Sequence, residues 1–198
     1  MKNILYTILL IASIGTTIIG CDGTDAVNTT QSDVDIQSTD DNKFKTILKL
    51  AAEQGNGLAQ FNLGLMYYQG KGTIQDYKEA FKWFQKSAEE GSSLGQRSLG
   101  KMYIEGNGIA KNYKKGIKWY KKSAEQGNSM SQGLLGMIYL AGDKVDQDLV
   151  LAHMYFNIAT VKGNENFSEH RYFISKLMTS LQIEKAQKLA REWINSHQ

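Results

Sequence analysis

The sequence predicts an all-α protein, a solenoid of antiparallel helix pairs, from three observations. Residue types recur every 36 positions: Gly55, Gly91, Gly127 and Gly163; Gly64, Gly100 and Gly136; Gly70, Gly106 and Gly142. Tyr67, Tyr103 and Tyr139 keep the same step, as do Leu63, Leu99 and Leu135, and the aromatic trio Trp83, Trp119 and Tyr155. Each period also holds two amphipathic segments closed by glycine, and the 198 residues contain no proline. A period of this length means stacked supersecondary units that bury a core only between neighbours. Such an array offers a long surface rather than an enclosed pocket, which favours binding over catalysis.

The chain opens with a short positive start, Met1-Lys2-Asn3, and a nearly unbroken apolar run from Ile4 to Ile19. This has the form of a secretory leader and is short for a membrane span. It ends in Ile18-Ile19-Gly20-Cys21, which resembles the bacterial lipobox. The resemblance implies cleavage before Cys21, diacylation of its sulfur and acylation of the new amino terminus. Three acyl chains exceed the two signals that stable anchoring requires. An uncleaved amino-terminal helix with an incidental cysteine is the other reading. Cys21 is the single cysteine, so there is no disulfide framework. Asp22 resembles the signal that keeps lipoproteins of enteric bacteria in the inner membrane, a sorting rule that other bacteria do not share. The expected location is the bacterial envelope, with the body facing the periplasm or the exterior.

Residues 22–42 carry six aspartates and no lysine or arginine, among Thr, Ser and Asn, and read as a tether unable to bury a core. From Lys43 onward there are 22 basic and 14 acidic side chains, a balance of +8 (22 − 14). Such a body attracts anionic partners, although lysines on polar helix faces are more simply a solvated surface. Residues 43–53 read as the second helix of a pair without its first, a half-repeat cap over 43–54.

Three full repeats then occupy about 55–162. Gly57–Gly70 places Phe61, Leu63, Leu65, Met66, Tyr67 and Tyr68 at helical spacing, and Asp76–Gly91 gathers Ala80, Phe81, Trp83, Phe84 and Ala88 on one face opposite lysines. Asp76 is a good N-cap, and Glu79 three residues on predicts a capping box. Gly70 and Gly91 stop their helices in the left-handed conformation. Gly64 lies mid-helix, where glycine costs about 1 kcal/mol relative to alanine. Its return at Gly100 and Gly136 implies two helices too close for a β-carbon. Beyond Gly163 the period fades, but 166–178 and 180–196 still read as helices over a capping region 163–198. Thr179 and Gln182 predict a second capping box. Lys185, Lys188, Arg191 and Glu192 supply the polar outer face that a terminal unit needs.

These residues resemble the Sel-one-like repeat (SLR) family, TPR-related, in each of three copies. The first is Ala52, Gly55, Ala59, Leu63, Gly64, Tyr67, Gly70, Gly72, Asp76, Ala80, Trp83 and Ala88. The second runs from Ala88 through Gly91, Leu99, Gly100, Tyr103, Gly106, Gly108, Asn112 and Trp119 to Ala124. The third continues through Gly127, Leu135, Gly136, Tyr139, Gly142, Asp148 and Ala152 to Tyr155. Thr73, Lys144 and Tyr155 depart from the pattern, and Lys144 predicts a differently shaped third loop. The resemblance implies a right-handed superhelix, with first helices on the concave inside.

On that geometry Leu63 and Tyr67 face the core, and inner positions lie two residues away from each. They are Phe61, Leu65, Tyr68 and Gln69; Arg97, Lys101, Ile104 and Glu105; and Gly133, Met137, Leu140 and Ala141. The groove so drawn is apolar at both ends and charged in the middle, suited to a peptide or helix that carries an acidic group between apolar anchors. Leu65, Tyr68, Ile104 and Leu140 alternatively fill gaps between first helices.

The family resemblance implies a protein–protein adaptor anchored by its lipid. A second class is a cell-wall peptide or glycan module, with Phe61 and Tyr68 as stacking surface. A third is a β-lactam-interacting hydrolase, suggested by Ser98-Leu99-Gly100-Lys101, an S-x-x-K match without the S-D-N and K-T-G elements that accompany it. His153, His170 and His197 form no metal motif. No catalytic residue, metal, cofactor or nucleic-acid partner is expected.

Overall fold

A glycine and an aromatic ring set the distance between the two helices of every pair. The computed structural model describes residues 43–197. The expected leader, Cys21 and the acidic segment lie outside these residues. Nine α-helices and one 3₁₀ turn make up the described structure. They are α1 (43–53), α2 (Gly57–Gln69), α3 (Tyr77–Glu89), α4 (Ser93–Glu105), α5 (Tyr113–Glu125), α6 (Ser129–Ala141), α7 (Leu149–Val161), the 3₁₀ turn Glu165–Phe167, α8 (Ser168–Ser175) and α9 (Ser180–Ser196). Each helix of the three repeats packs chiefly on its chain neighbours, the pattern of a solenoid, and α9 folds back past α8 to pack on α7. The all-α solenoid expected from the period is the observed architecture.

A β-carbon added at Gly64 would lie 2.7 Å from the Phe84 ring, at Gly100 2.7 Å from Tyr120, and at Gly136 2.7 Å from Phe156. The expected close approach is therefore real, and its partner is a ring of the second helix in the same pair. Around these rings the core forms one cluster per junction. Leu63 and Trp83 pack with Leu48 and Ala52 of α1, while Phe61, Phe84, Leu99 and Met102 pack next along the stack. Trp83 is buried beneath the Lys86 ammonium, and Trp119 is half-buried beneath Lys122.

Successive pairs are joined by a buried glutamine. Gln60 Nε2 donates to the Ala52 carbonyl at 3.0 Å, Gln96 to Ala88 at 3.4 Å, and Gln132 to Ala124 at 3.1 Å. The first of these bonds shows what α1 does, since its last turn presents the same carbonyl as α3 and α5. At the same junctions Gly55, Gly91, Gly127 and Gly163 sit at φ +82 to +89. The next residue's N–H returns to the carbonyl five positions back, as in Asn56 to Ala51 and Ser92 to Ser87. This is the Schellman arrangement, and it needs glycine at its left-handed residue.

The loops within pairs close alike: the N–H groups of Asp76, Asn112 and Asp148 bond the carbonyls of Tyr67, Tyr103 and Tyr139 at 2.8–3.0 Å. Gly72 and Gly108 adopt positive φ, but Lys144 does not, so the third loop differs as its sequence implied. Lys144 pairs with Asp143 and lies 4.7 Å from the Tyr113 ring centre.

Two capping boxes were expected and one forms. Thr179 and Gln182 make both reciprocal bonds at the start of α9. At α3 Asp76 accepts from the N–H groups of Lys78 and Glu79, but the Glu79 carboxylate is drawn to Lys82 instead of turning back. An ammonium one turn on is a better partner than a backbone N–H beside the Asp76 carboxylate.

The Phe156 ring is fully buried and cannot yield to a methyl group at Gly136. Gly136→Ala should lower unfolding free energy by up to about 2 kcal/mol, since an overpacking cost of about 1–3 kcal/mol is offset by only the roughly 1 kcal/mol of helix propensity gained. Denaturant unfolding followed by circular dichroism checks this, and a stabilised variant would contradict the contact.

Candidate functional site

A cavity of about 400 Å³ opens across three consecutive first helices. Phe61, Leu65 and Tyr68 come from α2, Arg97, Ser98, Lys101 and Glu105 from α4, and Met130 and Leu134 from α6. Phe84 and Tyr120, the rings that cross Gly64 and Gly100, form its floor. One structural contact thus builds both the helix pair and the bottom of the cavity.

The α4 wall is polar, and its groups differ in how far they are committed. The Glu105 carboxylate accepts from Tyr68 Oη at 3.1 Å and from Asn107 Nδ2 at 2.8 Å, and lies 3.8 Å from the Lys101 ammonium. Lys101 also sits 4.9 Å from the Tyr68 ring centre. Its charge is thereby shared between an acid and a π-face. Arg97 is half-buried and makes no ion pair or hydrogen bond among the described residues. Burial, reinforced by Glu105, pushes the Tyr120 phenol far above its ordinary range although Arg97 pulls the other way. It is therefore a neutral O–H donor at any physiological pH.

Six of the twelve residues expected on the inner face meet at this cavity: Phe61, Leu65, Tyr68, Arg97, Lys101 and Glu105. Six do not. Gln69 and Ala141 are exposed and do not line it. Ile104 turns to Gly116 of α5, where its side chain would lie 2.7 Å from an added β-carbon, and joins the core. Leu140 packs with Ala152, Phe156 and Ile174, and Met137 is exposed away from the cavity. In the third repeat the cavity is lined instead by Met130 and Leu134, because each unit is rotated on the one before it and the inner strip shifts around the helix. Gly133 is covered as well: the Phe167 ring of the 3₁₀ turn occupies the space above it, where a β-carbon would collide.

Phe84, Tyr120, Met130 and Leu134 line the cavity without having been expected there, and Ser98, which entered the sequence reading only through the S-x-x-K match, lines it as well. The rings had a signal, since Phe84, Tyr120 and Phe156 keep the 36-residue step. The S-x-x-K reading gains no geometry. Ser98 makes no hydrogen bond among the described residues, and Lys101 is committed to Glu105 and Tyr68. Phe61 packs on Phe84 at 5.9 Å and is buried, so it offers no free stacking face. Among the described residues no cluster of three or more His, Cys, Asp or Glu has the form of a metal site, and no helix is long and apolar enough to cross a membrane.

The Sel1 repeat model matches residues 57–92, 93–128 and 129–164, more than half of the chain. The chain belongs to the Sel1 repeat family. Three solved structures share its fold. The protective antigen c5321 of uropathogenic Escherichia coli, which displays an SLR fold, is 34% identical with a TM-score of 0.72, covering 77% of this chain and 33% of its own. A Sel1 repeat protein from Oxalobacter formigenes is 35% identical with a TM-score of 0.58, over 64% and 96% of the two chains. Helicobacter pylori cysteine rich protein B, at 22% identity and a TM-score of 0.53, shares the fold over 67% and 95%. A putative sel1-like repeat-containing protein of Acanthamoeba polyphaga mimivirus is 50% identical over 40 residues, 20% of this chain and 7% of its own. The chain thus spans about a third of the E. coli antigen and a small part of the viral protein. Sel1 repeat proteins are generally protein-interaction scaffolds, and the fold is generally non-catalytic.

The closed end of the Sel1 array contains a titratable group. His153 of α7 is 4% exposed, and its Nδ1 has no partner. Burial, and next the charge of Arg171 on α8, lower its pKa. An unfolded chain therefore takes up this proton first as pH falls through about 6.5. Stability should be unaffected by this group above that pH and should decline below it. His153→Phe, the residue that the first repeat has at Phe81, should flatten the decline in melting temperatures measured across a pH series, and an unaltered slope would contradict it.

Proposed function

We propose that this protein is an envelope-anchored adaptor, held by lipid on Cys21 and gripping a segment of a partner protein on the inner face of its repeats. The observation that carries the reading is the cavity spanning α2, α4 and α6, with apolar walls on either side of a charged centre in which Arg97 has no internal partner. A half-buried guanidinium that faces an open cavity without a counter-charge is electrostatically complementary to an acidic group from outside. The family's general role as an interaction scaffold supports the same reading. The anchor is supported by the leader, by its Ile18-Ile19-Gly20-Cys21 ending and by the position of the single cysteine.

Metabolic labelling with palmitate should mark the wild-type protein and not Cys21→Ala; equal label in both removes the anchor. Crosslinking in intact cells followed by mass spectrometry should capture a partner with the wild type. The double reversal Arg97→Glu, Lys101→Glu should reduce that capture at least tenfold, about 1.4 kcal/mol, with the helical melt unchanged. Undiminished capture would place the interaction elsewhere.

A further inference from the structure

The three repeats solve one packing problem three times, so each is a control for the others. Across the mid-helix glycine the first and third repeats place Phe84 and Phe156, at the same 2.7 Å approach that Tyr120 makes in the second. Phenylalanine suffices twice, so the Tyr120 hydroxyl is surplus to packing. At the neighbouring inner positions Arg97 stands where the other repeats have Phe61 and Gly133, and Lys101 where they have Leu65 and Met137. The middle repeat alone carries polar groups at all three places, and all three line one cavity.

Two of these groups are uncommitted. Tyr120 is 4% exposed, and its hydroxyl makes no hydrogen bond among the described residues. Arg97 is equally without a partner there. The group that satisfies a guanidinium fork and a phenol O–H together accepts hydrogen bonds and carries negative charge, and a carboxylate matches the planar fork. A doubly charged phosphate would face the nearby Glu105 carboxylate. Apolar walls flank the polar centre on both sides, Leu65 in α2 and Leu134 in α6. A ligand that fills both walls continues past its carboxylate in both directions, as a chain-terminal carboxylate does not.

We propose that Arg97 and Tyr120 seat the side-chain carboxylate of an internal Glu or Asp in a bound peptide, with apolar neighbours of that residue on Leu65 and Leu134. This rests on the adaptor reading and names what the adaptor recognises.

The test selects phage-displayed random peptides on the full-length protein in detergent micelles. The best binders are then resynthesised for fluorescence anisotropy. Enriched sequences should carry an acidic residue between apolar ones, and its change to the amide should weaken binding about tenfold or more. Arg97→Ala should erase the difference between acid and amide peptides. Tyr120→Phe, which installs the residue of the other repeats, should weaken the acid peptide about threefold to tenfold, leaving the amide peptide and the melting temperature unchanged. Amidating the peptide's carboxy terminus should have no effect. Binders without an acid, or indifferent to its removal, overturn the seat while leaving peptide binding standing. Loss of binding on terminal amidation overturns the internal seat in favour of a chain end. No enrichment at all overturns the seat and the adaptor reading together.

Discussion

The contact between a mid-helix glycine and a ring of the paired helix is the constraint on which the rest of this structure depends. Gly64, Gly100 and Gly136 each lie under an aromatic side chain at a distance that leaves no room for a β-carbon. That approach brings the two helices of a pair together closely enough for the short connecting loops to close on Tyr67, Tyr103 and Tyr139. It also carries each ring across the first helix to the inner side. Phe84 and Tyr120 therefore serve in two places, as the centre of a pair and as the floor of the cavity. A glycine in a helix interior costs about 1 kcal/mol, and dispersion and burial at a fully packed ring exceed it.

Between pairs a different bond takes over. Gln60, Gln96 and Gln132 reach back to the last turn of the preceding second helix. Each is a buried polar side chain, and its amide adds a second hydrogen bond to a carbonyl that already accepts from the N–H of Gly55, Gly91 or Gly127. The bond ties the start of one pair to the end of the one before, so it orients neighbours without involving any distant part of the chain. The two ends of the stack meet this requirement differently. At the start, α1 supplies Ala52 as the acceptor for Gln60. At the finish, the turn after α7 lays Phe167 on Gly133, and α9 brings Ala186 and Ala190 into the last two core clusters. The inner face is consequently open over the first two repeats and covered at its centre in the third.

The fold was legible in the sequence because its rules are local and repeated. Gly55 and its equivalents announce helix ends, Asn56, Ser92 and Asn128 cap the next helices, and the periodic leucines mark the core. Three copies make each rule visible above the background of a single helix. Two periodic features were nevertheless unread. The series Phe84, Tyr120 and Phe156 stands beside a tryptophan at each of its first two members, and sequence does not say which of two adjacent rings crosses the glycine. The glutamines at 60, 96 and 132 have the composition of a solvated helix face, and their burial follows from where the preceding helix ends. For the site, counting two residues from Leu63 and Tyr67 found the walls in the first two repeats and failed in the third. Spacing along one helix contains no information on how far each unit rotates relative to the last, nor on which side chain from beyond Gly163 folds back over the strip.

A repeat protein also separates packing from recognition in a way that a unique fold does not. Positions that agree across the copies are accounted for by the shared contacts, and a departure is significant when it places a polar atom where its counterparts are apolar and yet buried. Ser98 and Lys101 look like a catalytic pair only if the sequence is read along the helix. Read across the repeats, Leu99 and Gly100 between them are packing residues, buried to 1% and pressed under Tyr120, and Lys101 belongs with Arg97 and the Tyr120 hydroxyl. Both Arg97 and that hydroxyl line the open cavity without an internal hydrogen bond, so neither helps to hold the isolated scaffold together. Packing gives no reason for such groups, since Phe61 and Phe84 fill the corresponding space one repeat earlier. Their hydrogen-bonding capacity is left for an external acceptor, so the groups that packing does not use are the ones that let the scaffold discriminate among ligands.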